Sequence, residues 1–257
     1  GTSWSEAIYV IAAPGGGRTF WPQHALDAWG ILHLVWVGPN ATLYYSSVPS
    51  AEACQVRSWE TSVVPTASQV LYGDVAVDDK GSVHVVYAAL GQDVYYMYSV
   101  DQGRTWSDAV AVSAVPSGAA TSFPVVAVDS AGGIHVAWEE DQLPNGVPGL
   151  GLFYSASVDG GQTWSPSLRL AGEEYTQPAI CVLQDGTIHL MWNGRISTRG
   201  RYHQWSGDGG ITWSAPIEFI PKSAGGGQTG APRFAEDGAG TLHVVSGTDE
   251  TTHVAWS

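Results

Sequence analysis

The chain is 257 residues long, with 24 acidic against 10 basic side chains, a formal net charge of −14 and a pI near 4.7. That balance argues against nucleic acid and anionic membrane surfaces as partners, since both are bound through basic patches. A composition that is 44% hydrophobic and only 13% charged supplies a substantial core. No apolar run approaches the roughly twenty residues of a membrane span, and no stretch reads as a signal peptide.

Taken in chain order, the residues form short strands that repeat. Residues 2–10 read as a lone strand of type D. Five times thereafter a landmark residue, Pro22, Gly73, Pro124, Pro178 or Pro232, opens an apolar run. Ten residues after each landmark comes an apolar-His-apolar triplet, centred on His33, His84, His135, His189 and His243. These histidines step by 51, 51, 54 and 54 residues. In the third copy, 123–129 is strand A and 130–133 is turn chemistry. Strand B follows at 134–138, an aromatic-rich strand C at 151–157, and an alternating strand D at 164–170. No helical period appears. Four strands per repeat at a period near fifty predict an all-β, five-bladed β-propeller with four-stranded antiparallel blades.

The repeat units run approximately 11–59, 60–106, 107–164, 165–213 and 214–257 plus 1–10, within a single domain. The last residues, 251–257, read as a C strand. The N-terminal strand at 2–10 is expected to complete that blade, because an open sheet edge invites aggregation. Gly1, Ser3 and Trp4 match the end of a turn motif and Ser257 its beginning, as if the chain were excised from or permuted within a longer array.

The turn between C and D carries a motif, Ser-x-Asp-x-Gly-x-Thr-Trp. It is complete at Ser99/Asp101/Gly103/Thr105/Trp106, Ser157/Asp159/Gly161/Thr163/Trp164 and Ser206/Asp208/Gly210/Thr212/Trp213, with worn copies ending at Trp59 and Trp4. Asp accepts backbone N–H bonds in its own turn, Gly supplies positive φ, and the Trp ring anchors the loop to the sheet. A residue that recurs once per blade serves structure, so Asp101, Asp159, Asp208, Trp106, Trp164 and Trp213 are structural and none is catalytic. The five triplet histidines sit between blades as hydrogen-bonded packing residues rather than as a metal ring. His24, His203 and His253 lie outside that register and read as ordinary residues. No metal or cofactor is expected. Cys54 and Cys181 belong to non-adjacent blades and are expected to be free thiols.

The motif resembles the Asp-box, or BNR, repeat of the sialidase superfamily, and the resemblance covers all five units. It implies the propeller fold, in a superfamily whose relatives include sialidases, other glycosidases, receptors and secreted binding proteins. Sialidases carry an Arg-Ile-Pro motif in the first blade, three carboxylate-binding arginines, a Tyr–Glu pair and an acid/base Asp. Here the matching segment is Phe20-Trp21-Pro22-Gln23, without the Arg, so no catalytic residue is assigned. Five-bladed glycosidases hold acids around the axis. The residues following the landmarks are Gln23, Asp74, Val125, Ala179 and Arg233, of which one is acidic, although Glu139, Glu140 and Asp141 could supply a partner.

In a repeat protein, function sits where repeats differ. The D–A and B–C loops share one face, with variable segments at 14–18, 142–150, 195–202 and 224–230. Aromatics collect at the strand A entrances: Phe20, Trp21, Tyr72, Phe123 and Tyr175. The candidate ligand-binding residues on this face are Trp21, Tyr72, Phe123, Glu139, Arg195, Arg199, Arg201 and Arg233. The expectation is a non-catalytic binding or scaffold module, monomeric and extracellular, taking a glycan or protein ligand. The alternatives are a glycoside hydrolase and a ligandless propeller of amplified or engineered blades.

Overall fold

The computed structural model describes residues 11–13, 16–90, 93–113, 120–140, 151–172, 175–194, 200–220, 231–237, 240–247 and 252–256. They form five antiparallel sheets, the blades of a five-bladed β-propeller. Blade 1 contains β1 (Phe20–Leu26), β2 (Ile31–Val37), β3 (Leu43–Pro49) and β4 (Glu60–Val63). Blade 2 contains β5 (Val70–Val77), β6 (Val83–Ala89), β7 (Val94–Ser99) and β8 (Val110–Ala111). Blade 3 contains β9 (Thr121–Val128), β10 (Ile134–Glu140), β11 (Gly151–Ser157) and β12 (Leu168–Ala171). Blade 4 contains β13 (Tyr175–Val182), β14 (Ile188–Gly194), β15 (Arg201–Ser206) and β16 (Ile217–Ile220). Blade 5 has three strands among the described residues, β17 (Arg233–Glu236), β18 (Leu242–Gly247) and β19 (Thr252–Trp256). The strand expected at 2–10, and with it the closure of blade 5, lies outside the described residues.

The core lies between blades. One buried cluster joins Val35, Leu43 and Tyr45 of blade 1 to Val75, Val85 and Tyr87 of blade 2. A second joins Val86 and Tyr96 to Val136 and Trp138 of blade 3, and a third joins Ala137 and Leu152 to Leu190 and Trp192 of blade 4. The β-branched and aromatic residues of the central strands account for this, because each face of a blade must be covered by its neighbour.

The turn motifs are closed by their own side chains. In the third blade the Ser157 hydroxyl donates to Asp159 Oδ1 at 2.8 Å and accepts from the Gly161 amide at 2.9 Å. Asp159 Oδ1 accepts from the Thr163 amide at 2.9 Å, and its Oδ2 from the Thr163 hydroxyl at 2.5 Å. The turns at Asp101 and Asp208 repeat this set. These donors bring all three carboxyls down to about 2, the Thr hydroxyls contributing most. The motif tryptophans differ from the expectation in one respect. Each lies against a tyrosine of the preceding blade: Trp106 on Tyr45, Trp164 on Tyr96 and Trp213 on Tyr154. The ring therefore pins the turn across the blade boundary. Cys54 is exposed and Cys181 half-buried, and both are free thiols.

Candidate axial binding site

In blades 1, 3 and 4 the inner strand is kinked at its entrance. Trp21, Phe123 and Gln177 are left-handed, with φ of 52°, 48° and 52°. Each precedes a proline (Pro22, Pro124, Pro178) and sits where strand pairing slips register: between Phe20 and Gln23, opposite the Ala137/Glu139 step, and between Thr176 and Ala179. A pre-proline residue favours extended backbone, and a bulky residue at positive φ is strained by about 1–3 kcal/mol. Bulges of this kind re-aim side chains. Here Trp21 and Phe123 meet Tyr72 over the channel. The ring centroids are 5.2 Å apart for Trp21–Tyr72, 5.9 Å for Trp21–Phe123 and 4.2 Å for Tyr72–Phe123. Three blades thus contribute one aromatic wall.

That wall bounds a cavity of about 340 Å³ whose remaining lining includes Gln23, Gln177, Pro178 and Arg233. Arg233 Nη2 donates to Gln23 Oε1 at 2.6 Å, linking blade 5 to blade 1, and Nη1 donates to the Pro232 carbonyl at 3.0 Å. Gln177 is held from behind. Asn193 Nδ2 donates to its Oε1 at 2.8 Å, and the Gln177 backbone N–H donates to Glu139 Oε2 at 3.1 Å. Glu139 Oε2 also accepts from the Thr176 hydroxyl, and Glu139 is only 1% exposed. It positions the entrance to β13 and is not part of the cavity lining.

Asp74, one residue past the landmark Gly73, is the acid that feels the charge of Arg233. Its Oδ2 accepts from the Val126 amide of blade 3 at 2.9 Å. Burial pushes its carboxyl up to about 6, opposed by that amide and by the positive charge of Arg233. Glu140 faces the other side of β10 from Glu139. It is buried, accepts weakly from Trp138 Nε1 at 3.4 Å, and is raised by desolvation, with Asp93 adding to the shift. No carboxylate lines the axial cavity among the described residues.

Of the residues predicted from sequence, Trp21, Tyr72, Phe123 and Arg233 come together here. Arg201 does not join them; it is buried at the start of β15, with Nη1 donating to the Gly200 carbonyl. Tyr175 is also absent from the cavity, because its ring packs edge-on against Trp192 and Tyr202 within blade 4. Arg195, Arg199 and Asp141 lie outside the described residues, as do the loops at 142–150 and 224–230. Sequence reasoning missed Gln177, whose signal was its place before Pro178, equivalent to Trp21 and Phe123. Among the described residues no group of three or more His, Cys, Asp or Glu side chains is placed to hold a metal ion. A second groove, of about 600 Å³, runs along the turns of blades 3 and 4, past Val158, Trp164 and Ile211. Among the described residues, none of its lining side chains sits at a left-handed pre-proline kink.

No curated protein matches the chain. Among solved structures it is similar to an α-L-arabinanase from Penicillium chrysogenum complexed with arabinobiose, at TM-score 0.72 and 16% identity over 96% of this chain and 81% of that one. It is similar also to an α-L-arabinofuranosidase from Fusarium graminearum in complex with an iminosugar inhibitor, at TM-score 0.70 and 16% identity over 97% and 84%. A Hadza microbial sialidase aligns at TM-score 0.54 and 18% identity over 90% of this chain and 53% of its own. Identities this low establish the shared fold alone. The BNR repeat-like domain family matches residues 2–230, nearly the whole sequence. The chain is therefore a member of the BNR repeat-like family.

Proposed function

We propose that the protein is a saccharide-binding module whose site is the axial cavity. The observation that carries this reading is the composition of the cavity wall. Three aromatic rings from three blades share the lining with amide and guanidinium donors, and among the described residues no carboxylate lines the space. Aromatic faces cover the C–H surface of a sugar ring, while Gln23, Gln177 and Arg233 match its hydroxyls; a few polar groups on an apolar wall are the usual make-up of a small-ligand site. Solved structures of similar fold include carbohydrate-active enzymes, which supports a sugar ligand without assigning one.

A hydrolase is the second reading, and one observation favours it. Asp74 follows Gly73 of the cavity lining and has its carboxyl raised to about 6, in the range of a general acid. Hydrolysis with two carboxylates needs a partner about 5–10 Å away. Of the three acids that could supply it, Glu139 is committed to Thr176 and Gln177, Glu140 is buried beside Trp138, and Asp141 lies outside the described residues. Calorimetry with a panel of saccharides, run beside a reducing-end release assay, separates the two. Binding that falls on Trp21→Ala and persists in Asp74→Asn, with no product released by the wild type, supports the module. Product release abolished by Asp74→Asn replaces it with the enzyme.

A further inference from the structure

Trp21 lines two cavities. One is the axial pocket; the other is a groove of about 450 Å³ between blades 1 and 2, lined also by Arg18, Phe20, Pro39 and Asn40 among others. Trp21 is 47% exposed and Phe20 46%, so neither ring is consumed by the core. The far wall of the groove is strained as well: Asn40 and Ala41 are consecutive left-handed residues, at φ 60° and 56°. Left-handed non-glycine residues are held only where surrounding structure over-determines them, and they cluster at ligand sites. Strain thus borders the groove on both sides, at Trp21 and at Asn40–Ala41.

The charges of the two cavities are opposite to that of the chain. In a protein with 24 acidic and 10 basic residues, the only charged side chain lining each cavity among the described residues is an arginine: Arg233 in the pocket and Arg18 in the groove. Their situations differ. Arg233 is tied to Gln23 and shares its charge with Asp74. Arg18 is exposed and has no hydrogen bond or ion pair with a described residue.

Resting on the reading of the axial pocket as a sugar site, we infer that pocket and groove form one cleft for an anionic oligosaccharide. One unit sits in the pocket, the chain crosses Trp21, and the next unit presents its acidic group to Arg18. The shared chemistry is an oxyanion on a sugar, either a uronate carboxylate or a sulfate ester. An exposed guanidinium takes either one through paired N–H donors.

The test is an array of neutral, uronate-bearing and sulfated saccharides one to four units long, with calorimetry on the hits for the wild type, Arg18→Gln, Arg18→Lys and Trp21→Ala. The expected result is preference for acidic chains of two or more units over single units. Arg18→Gln should lower affinity for those chains about tenfold, the size of one charge-assisted hydrogen bond, and leave single-unit binding unchanged. Arg18→Lys should retain most of the affinity, and the preference should fade with added salt. The carboxylated and sulfated arms identify the source of the charge. Equal affinity for neutral and acidic chains, or an Arg18→Gln variant indistinguishable from wild type, overturns the inference. If single units still bind through Trp21, the pocket reading survives that outcome. An array silent for every saccharide removes both.

Discussion

Tyr96 of blade 2 stands edge-on to Trp164 of blade 3, ring centroids 5.4 Å apart at 66°. The phenol of Tyr96 also lies 2.8 Å from His84 Nδ1, and His84 Nε2 faces Asp78 Oδ2 at 3.5 Å. At that distance Nε2 makes no hydrogen bond, so the ring is tied through Nδ1 to the tyrosine. Burial lowers the His84 pKa, which favours the neutral ring. A full relay runs from Asp27 through His33 and Tyr45 to Trp106, and from Asp129 through His135 and Tyr154 to Trp213. There Nε2 lies 3.2 Å from the carboxylate, which only accepts, so Nε2 carries the proton and the neutral ring accepts from the tyrosine. The two sequence markers, triplet and turn motif, therefore meet at each of these blade boundaries.

The turn glycine is fixed by the same contact. Gly161 is left-handed, at φ 88°, and a Cβ there would collide with the Tyr96 ring. Its neighbour Gly160 is left-handed too, at φ 76°, but has nothing within 4 Å. In blade 2 the equivalent of Gly160 is Gln102, at φ 58°. Gly161→Ala should therefore cost about 2–5 kcal/mol, backbone penalty plus overpacking. Gly160→Gln should cost only the left-handed penalty of about 1–2 kcal/mol. Urea unfolding of the two variants checks this; equal losses would show that the tyrosine contact contributes nothing.

Much of this was legible in the sequence, and its limits are physical. The motif Asp, Gly and Thr act within one turn, so their roles follow from spacing. The triplet histidines could be placed between blades because β2, β6, β10, β14 and β18 recur in fixed register. The identity of the partner across each boundary could not be read, since it belongs to another repeat. His203, taken as an ordinary residue, is the case in point. It occupies the tyrosine position of blade 4 and lies 2.9 Å from His189 Nδ1, with the rings stacked. The kinks at Trp21, Phe123 and Gln177 were also hidden, because a residue before proline reads as extended. Arg201 looked like a loop charge because nothing local announces that the start of β15 is buried.

The His189–His203 pair makes a prediction about acid. Burial lowers the pKa of both, and the charge of His189 adds to the effect at His203, which falls to about 4. Between the unfolded value near 6.5 and that folded value, the unfolded chain binds more protons, so stability is full above pH 6.5 and falls as pH drops toward 4. His203→Tyr would build the relay phenol of blades 1 to 3 against His189. Its denaturation midpoint should depend less on pH across that window than the wild type's. An unchanged slope between pH 6.5 and 4 would mean that His203 does not titrate with folding.

A separate acid limb belongs to the turn motifs. Asp159 is held at about 2 by the Thr163 hydroxyl and amide and by Ser157. A depressed carboxyl contributes stability that is present above its unfolded value near 3.9 and lost as pH falls through 2. Asp159→Asn should lower stability at pH 7 and flatten the loss between pH 4 and 2. Thermal melts across that range decide it, and a variant that keeps the wild-type slope would assign the acid limb elsewhere.

The last expectation separates stability from binding at one residue. Trp21 is strained at φ 52° and nearly half exposed, yet it forms the wall shared by pocket and groove. Trp21→Gly relieves the backbone, a gain of about 1–3 kcal/mol, and gives up ring contacts with Tyr72 and Phe123 of about 0.5–1.5 kcal/mol each. These terms oppose one another, so the fold should lose or gain no more than about 2 kcal/mol. A Trp at the centre of a binding surface commonly carries 2 kcal/mol or more, so saccharide affinity should fall by roughly thirtyfold. Trp21→Phe keeps the strain and part of the ring, and should show the reverse: stability near wild type or lower, with binding partly retained. If Trp21→Gly instead unfolded the protein, the ring would be a core residue that happens to be visible from solvent. If it bound saccharide as well as the wild type, the strain at Trp21 would need another explanation than ligand recognition.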